Sequence, residues 1–105
     1  MTNQFGLKPK IISDIQSVFT SFPEIEAAVL YGSRAKGNFK NGSDIDLTLK
    51  TQKPGSLPLI KIALALDELD LPYTFDLSAY DKINNTDLIE HINRAGIIFY
   101  QKAQA

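Results

Sequence analysis

Apolar residues recur along this chain first with a helical period and later with a period of two. Ile11, Ile12, Ile15, Val18, Phe19 and Phe22 fall at helical spacing, and Pro23 ends that helix. Ile25 to Tyr31 is a short apolar run of the kind that fills a buried strand. Ile45, Leu47 and Leu49 then alternate with Asp44, Asp46, Thr48 and Lys50, the pattern of a strand with one wet face. Lys53-Pro54-Gly55-Ser56 predicts a turn, after which Ser56 caps a helix through Leu69 with Pro58 in its first turn. Leu71-Pro72 ends that element. Tyr73, Phe75 and Leu77 alternate with Thr74, Asp76 and Ser78 as a second period-two strand. Asn85-Thr86-Asp87 opens a last helix, with Asp87 and Glu90 at capping-box spacing and Gly96 in the C′ position. Ile97 to Tyr100 adds a short edge strand. The order α, β, loop, β, α, β, α, β predicts a small α/β domain with helices packed on a sheet.

Composition narrows the classes. The chain's 105 residues suffice for one small domain, expected to span 1–105. The net charge of −1 gives no overall basic field, so any polyanion must be held by a local patch. With no cysteine, disulfides and thiolate metal sites are excluded. The first twenty residues lack the apolar stretch of a signal peptide or membrane span, so the expected location is cytoplasmic.

Between the first two strands the charge is unevenly placed. Gly32 to Ser43 holds three glycines and three cations and no acid, and Asp44 and Asp46 follow at once. Glycines at 32, 37 and 42 permit sharp turns and close approach of backbone to a ligand. Backbone N–H groups of such a loop, the hydroxyls of Ser33 and Ser43, and the cations Arg34 and Lys36 suit a triphosphate. On a strand, Asp44 and Asp46 point to the same face with Cα atoms about 6.6 Å apart. Asp76 lies on the polar face of another strand; if the two faces coincide, three carboxylates converge. Such a cluster repels itself unless cations neutralise it, and oxygen-only ligands suit Mg²⁺ or Mn²⁺. Two ions about 3.5–4 Å apart are the usual arrangement for displacement at phosphorus.

Each half alone is weak. An isolated D-x-D is more often the wet side of a strand, and a charged glycine loop is as often plain surface. Joined at this spacing, they favour a metal–nucleotide site. Other motifs fail on particular residues. Asn38-Phe39 stands where a Walker loop needs Lys-Ser/Thr, and no G-x-G-x-x-G occurs. Thr48 and Leu49 break an EF-hand loop.

At these residues the chain resembles the nucleotidyltransferase superfamily of DNA polymerase beta and kanamycin nucleotidyltransferase, and more closely the minimal nucleotidyltransferase (MNT) proteins. The matching pattern is an apolar strand at Ile25–Tyr31, Gly32-Ser33, a spacer to Ser43, and Asp44-Ile45-Asp46-Leu47. The fuller G-S-R-A-[KR]-G form runs from Gly32 to Gly37, and the third family carboxylate falls on Asp76 in Phe75-Asp76-Leu77. The ending from Ile89 through Arg94-Ala95-Gly96 to Tyr100 is also similar.

The resemblance implies a polymerase beta-like palm with a small mixed sheet. It also implies Mg²⁺-dependent transfer of a nucleoside monophosphate, AMP from ATP, with pyrophosphate leaving. Asp44 and Asp46 would hold both metals. Asp76 would hold the one that activates the acceptor and serve as its base. Gly32, Ser33 and Arg34 would grip the β and γ phosphates. The chain is about the size of one catalytic palm, so the acceptor site is expected from a partner or from the acceptor itself. Minimal proteins of this kind pair with helical HEPN proteins as antitoxin and toxin, adding AMP to a tyrosine of the HEPN ribonuclease. Two other classes stay open: a nucleotide-binding module that silences its partner by contact, and a transferase acting on RNA or a small molecule. His91 reads as a surface or boundary residue, Tyr31 as strand packing, and Lys40 and Lys50 as solvated.

Overall fold

The computed structural model describes residues 4–40 and 42–103. It contains helices α1 (Pro9–Thr20), α2 (Ser33–Lys36), α3 (Leu59–Asp67) and α4 (Thr86–Ala95). Strands β1 (Ala27–Tyr31), β2 (Ile45–Lys50), β3 (Phe75–Ala79) and β4 (Ile97–Gln101) form one sheet in the order β3-β2-β1-β4. β1 runs antiparallel to both β2 and β4, whereas β2 and β3 are parallel. Parallel neighbours require a crossover, and α3 supplies it. The mixed sheet with helices packed on it is the predicted architecture.

Alternation along the strands sorts the sheet into two faces. Ala28 and Leu30 of β1, with Ile45, Leu47 and Leu49 of β2, meet Ile15 and Phe19 of α1 and Ile62 and Leu66 of α3 in the main core. On the other face, Val29 and Tyr31 of β1 pack with Ile92 of α4, flanked by Tyr80, Ile83 and Leu88. All five residues of β1 are buried, because helices cover it on both sides. That is why its sequence is a continuous apolar run, while β2 and β3 alternate.

Several boundaries differ from the sequence pattern. β1 begins at Ala27 and β3 at Phe75, later than Ile25 and Tyr73. Ile25 is still fully buried, but its N–H closes a turn onto the Phe22 carbonyl. Ser56 does not cap α3: its hydroxyl pairs with Thr51 Oγ at 3.0 Å inside the turn, and the helix begins after Pro58. Asn85 caps α4, its side-chain oxygen accepting from the N–H groups of Asp87 and Leu88. Asp87 therefore sits inside the first turn, and Glu90 accepts from Arg94 at 3.0 Å instead of completing a capping box.

Candidate active site

β1 delivers the chain to Gly32, whose backbone has φ 78° and ψ −152°. Side-chain-bearing residues are nearly excluded from that conformation. A Cβ at this position would land on Oδ2 of Asp46. Only glycine lets the loop turn here and still lie against that carboxylate. Helix α2 follows, with Ser33 as its first residue and Lys36 exposed at its end; Gly37 terminates it in the left-handed conformation at φ 85°. The first N–H groups of a helix have no acceptor within it, so those of Ser33, Arg34 and Ala35 are available to an outside group.

The loop returns through Ser43 to Asp44, which is exposed just ahead of β2, and then to half-buried Asp46 within it. The parallel register sets Asp46 opposite Asp76 of β3, and the antiparallel register sets it opposite Tyr31 of β1. Burial raises the Asp46 carboxyl above its ordinary value, and the charges of Asp76 and then Asp44 raise it further. Asp76 and Asp44 are thus each within electrostatic reach of Asp46.

Their donor set fits a hard divalent cation: all oxygen, mutually repelling, and free of sulfur or imidazole. Among the described residues no three His, Asp or Glu side chains already stand as a ligating set.

Arg34 occupies a different place from the one expected of a phosphate ligand. It is 2% exposed, and its guanidinium donates to the carbonyls of Ser43 and Phe5. Ser43, also predicted to bind nucleotide, accepts from the Lys40 N–H through its hydroxyl at 2.8 Å, which closes the turn before Asp44.

The sequence reading missed a polar wall beside the carboxylates. Burial pushes the Tyr31 phenol up, the nearby charge of Asp76 adds to this, and a hydrogen-bonding contact with Ser78 partly offsets it. Ser78 in turn donates to the fully buried Thr48 at 3.0 Å. His91 of α4 stands edge-on to the Tyr31 ring, centroids 6.5 Å apart. Only the register reveals this, since Tyr31 lies fifteen residues from Asp46 in sequence and directly across from it in the sheet. Asp44 and Asp76 are exposed; a 660 Å³ concavity lies at the opposite end of the sheet, bordered by Glu24, Glu26, Thr51, Lys53 and Lys102.

The family model for polymerase beta nucleotidyltransferases matches residues 13–105. No curated protein sequence matches the chain significantly. Among solved structures, a toxin-antitoxin crystallised with AMP-PNP is similar at TM-score 0.68 and 21% identity, over 89% of this chain and 75% of that one. A mutant of the toxin-antitoxin MntA-HpeT, in which two aspartates two positions apart are changed to glutamate, is similar at TM-score 0.59 and 21% identity, over 90% and 73%. A Sulfolobus solfataricus protein described as a nucleotidyltransferase aligns at TM-score 0.55 and 18% identity, over 89% and 79%. At these identities the likeness is one of fold. The carboxylates at the end of a mixed sheet, the glycine turn that abuts them and a family match over most of the sequence converge: the chain belongs to the polymerase beta nucleotidyltransferase family.

Proposed function

We propose that this chain is a metal-dependent nucleotidyltransferase that moves AMP from ATP onto a hydroxyl acceptor. The acceptor is a tyrosine of a helical partner toxin of the HEPN kind, and the chain is its antitoxin. The observation that carries the reading is the register of Asp46 against Asp76, with Asp44 two positions before Asp46. Asp44 and Asp46 would hold both divalent ions, and Asp76 would hold the acceptor-side one. When bound, Mg²⁺ supplies positive charge to the phosphates and to the incoming hydroxyl.

The chain's own residues do the rest. Gly32, Ser33 and Lys36 hold the β and γ phosphates through loop N–H groups, a hydroxyl and an ammonium. A carboxylate oxygen of Asp76 takes the acceptor's proton as its oxygen bonds to the α-phosphorus. The bond from that phosphorus to the pyrophosphate oxygen breaks, and AMP is left esterified to the acceptor. Residues 1–105 act as one catalytic palm, and the partner provides the acceptor surface. Support comes from the AMP-PNP in one structural neighbour and from the aspartates two positions apart in another, the spacing of Asp44 and Asp46.

The test is label transfer from ATP carrying ³²P at the α-phosphate, with Mg²⁺ and a lysate of the source organism, beside an Asp46→Asn control. A labelled protein band that the control lacks supports the reading, and its mass identifies the acceptor. Label in RNA or a small molecule retains the chemistry and replaces the acceptor. No label dependent on Asp46 in any fraction refutes the transferase and leaves a module that acts by contact.

A further inference from the structure

Four segments that frame the site meet at one buried side chain. The guanidinium of Arg34 donates from Nε and Nη2 to the Ser43 carbonyl, at 3.1 and 2.8 Å, and from Nη1 to the Phe5 carbonyl at 2.7 Å. It also lies over the rings of Phe39 and Tyr73, 5.2 and 5.0 Å from their centroids. Phe5 belongs to the tight Gln4–Leu7 turn, where it has a positive φ of 58°. Ser43 immediately precedes Asp44. Tyr73 precedes Thr74, whose carbonyl receives the Ile45 N–H at 2.9 Å, and β3, which carries Asp76, begins at the next residue, Phe75. Arg34 itself lies one residue beyond Ser33 on α2.

We infer that Arg34 is a positioning residue that fixes Asp44 relative to Asp76 and α2, and that it does not bind phosphate. Its three hydrogen bonds go to backbone carbonyls, and at 2% exposure it has almost no surface to offer a nucleotide. A buried guanidinium is suited to this role because its planar fork can donate in several directions while its face lies on an aromatic ring. Lysine lacks the planar fork, so its single nitrogen cannot reach both carbonyls and stack a flat face on the rings at once. The inference rests on the metal role proposed above for Asp44, Asp46 and Asp76. It adds that their common geometry is set by a cation that touches none of the ligands.

Direct Mn²⁺ binding to the full chain, followed by the electron paramagnetic resonance of free Mn²⁺, separates the two ideas. Wild type, Arg34→Lys and Asp46→Asn are compared, and ATP binding in EDTA is measured alongside. Wild type is expected to bind Mn²⁺ and Asp46→Asn to lose it. Arg34→Lys is expected to bind about 10- to 100-fold more weakly, the range for groups that orient metal ligands, with metal-free ATP binding unchanged. Wild-type Mn²⁺ affinity in Arg34→Lys overturns the positioning role, and a loss confined to metal-free ATP binding restores Arg34 as a phosphate ligand. If wild type binds no Mn²⁺, the metal reading itself falls and this inference with it. A second variant, Tyr73→Leu, keeps the arginine and removes one ring it lies against. Faster hydrogen exchange at the Ile45 amide and weaker Mn²⁺ binding are expected there, and unchanged values for both overturn the inference even if Arg34→Lys does not fold.

Discussion

Oδ2 of Asp46 fills the space where a Cβ on Gly32 would sit. The glycine turn after β1 and the strand that carries Asp46 are thereby held in direct contact. Gly32→Ala must displace the carboxylate or the loop, and it must place an alanine at φ 78°. The backbone term alone is about 1–3 kcal/mol. We expect Gly32→Ala to lower thermal stability by that amount and label transfer about a hundredfold or more, the loss of roughly 2.7 kcal/mol of transition-state stabilisation. An alanine variant with wild-type transfer would show that the loop does not need to touch Asp46.

The carboxylate cluster sets a pH dependence of stability when no divalent cation is present. The Asp46 pKa in the folded chain is raised, by burial first and then by Asp76 and Asp44. The folded state therefore holds the proton more tightly than the unfolded chain. The contribution of Asp46 to stability is most favourable below the ordinary aspartate value of 3.8 and falls as pH rises through the interval up to the folded value, above which the penalty is complete. Asp46→Asn removes the charge that causes it. Thermal melts in EDTA should show Asp46→Asn more stable than wild type at about pH 7, with the gain shrinking below about pH 3.8. A variant that melts lower than wild type at neutral pH would contradict this.

Gly96 tests a different use of glycine. Its φ of −69° is ordinary, so conformation does not demand glycine there. Space does: an added Cβ would meet the Ile92 carbonyl oxygen and Cγ1 of Val29. Overpacking of this sort costs about 1–3 kcal/mol. Gly96→Ala should lower the melting temperature, and a companion Val29→Ala should recover part of the loss by vacating the contact. A double variant no more stable than the sum of the two single changes would assign the cost elsewhere.

Residue pattern made most of this fold legible, because its signals are local. Alternation around Asp46 and Asp76 gives two strands, and burial on both faces writes β1 as an unbroken apolar run. Strand starts and helix caps were harder to read, since they depend on competition between neighbours. The Ser56 hydroxyl prefers Thr51 to a helix N-terminus, and Asn85 reaches the Asp87 and Leu88 N–H groups before Asp87 can act as a cap. In the candidate site, the composition of the loop pointed to the region and the spacing of Asp44 and Asp46 to the chemistry proposed for it. Composition does not say which way a cation points. Arg34 and Lys36 read alike in sequence, yet one is buried against carbonyls and the other is exposed. The place of Tyr31 beside Asp46 depends on strand register, a long-range property that no local pattern encodes.

The same repulsion predicts how the protein responds to metal. A cation that binds only the folded state stabilises it by mass action, about 2.7 kcal/mol at a hundred times its Kd. In a domain of this length that corresponds to a rise in melting temperature of roughly 10 °C. Mn²⁺ or Mg²⁺ should therefore raise the melting temperature of wild type, while NaCl at equal ionic strength should not, because screening alone cannot bridge Asp46 to Asp76. Asp46→Asn should lose most of the rise even though it starts from a more stable protein. Asp76→Asn should lose part of it, since Asp44 and Asp46 remain as a pair. An equal rise in wild type and Asp46→Asn would mean that the ion binds away from these strands, and would remove the physical reason for the carboxylates to stand together.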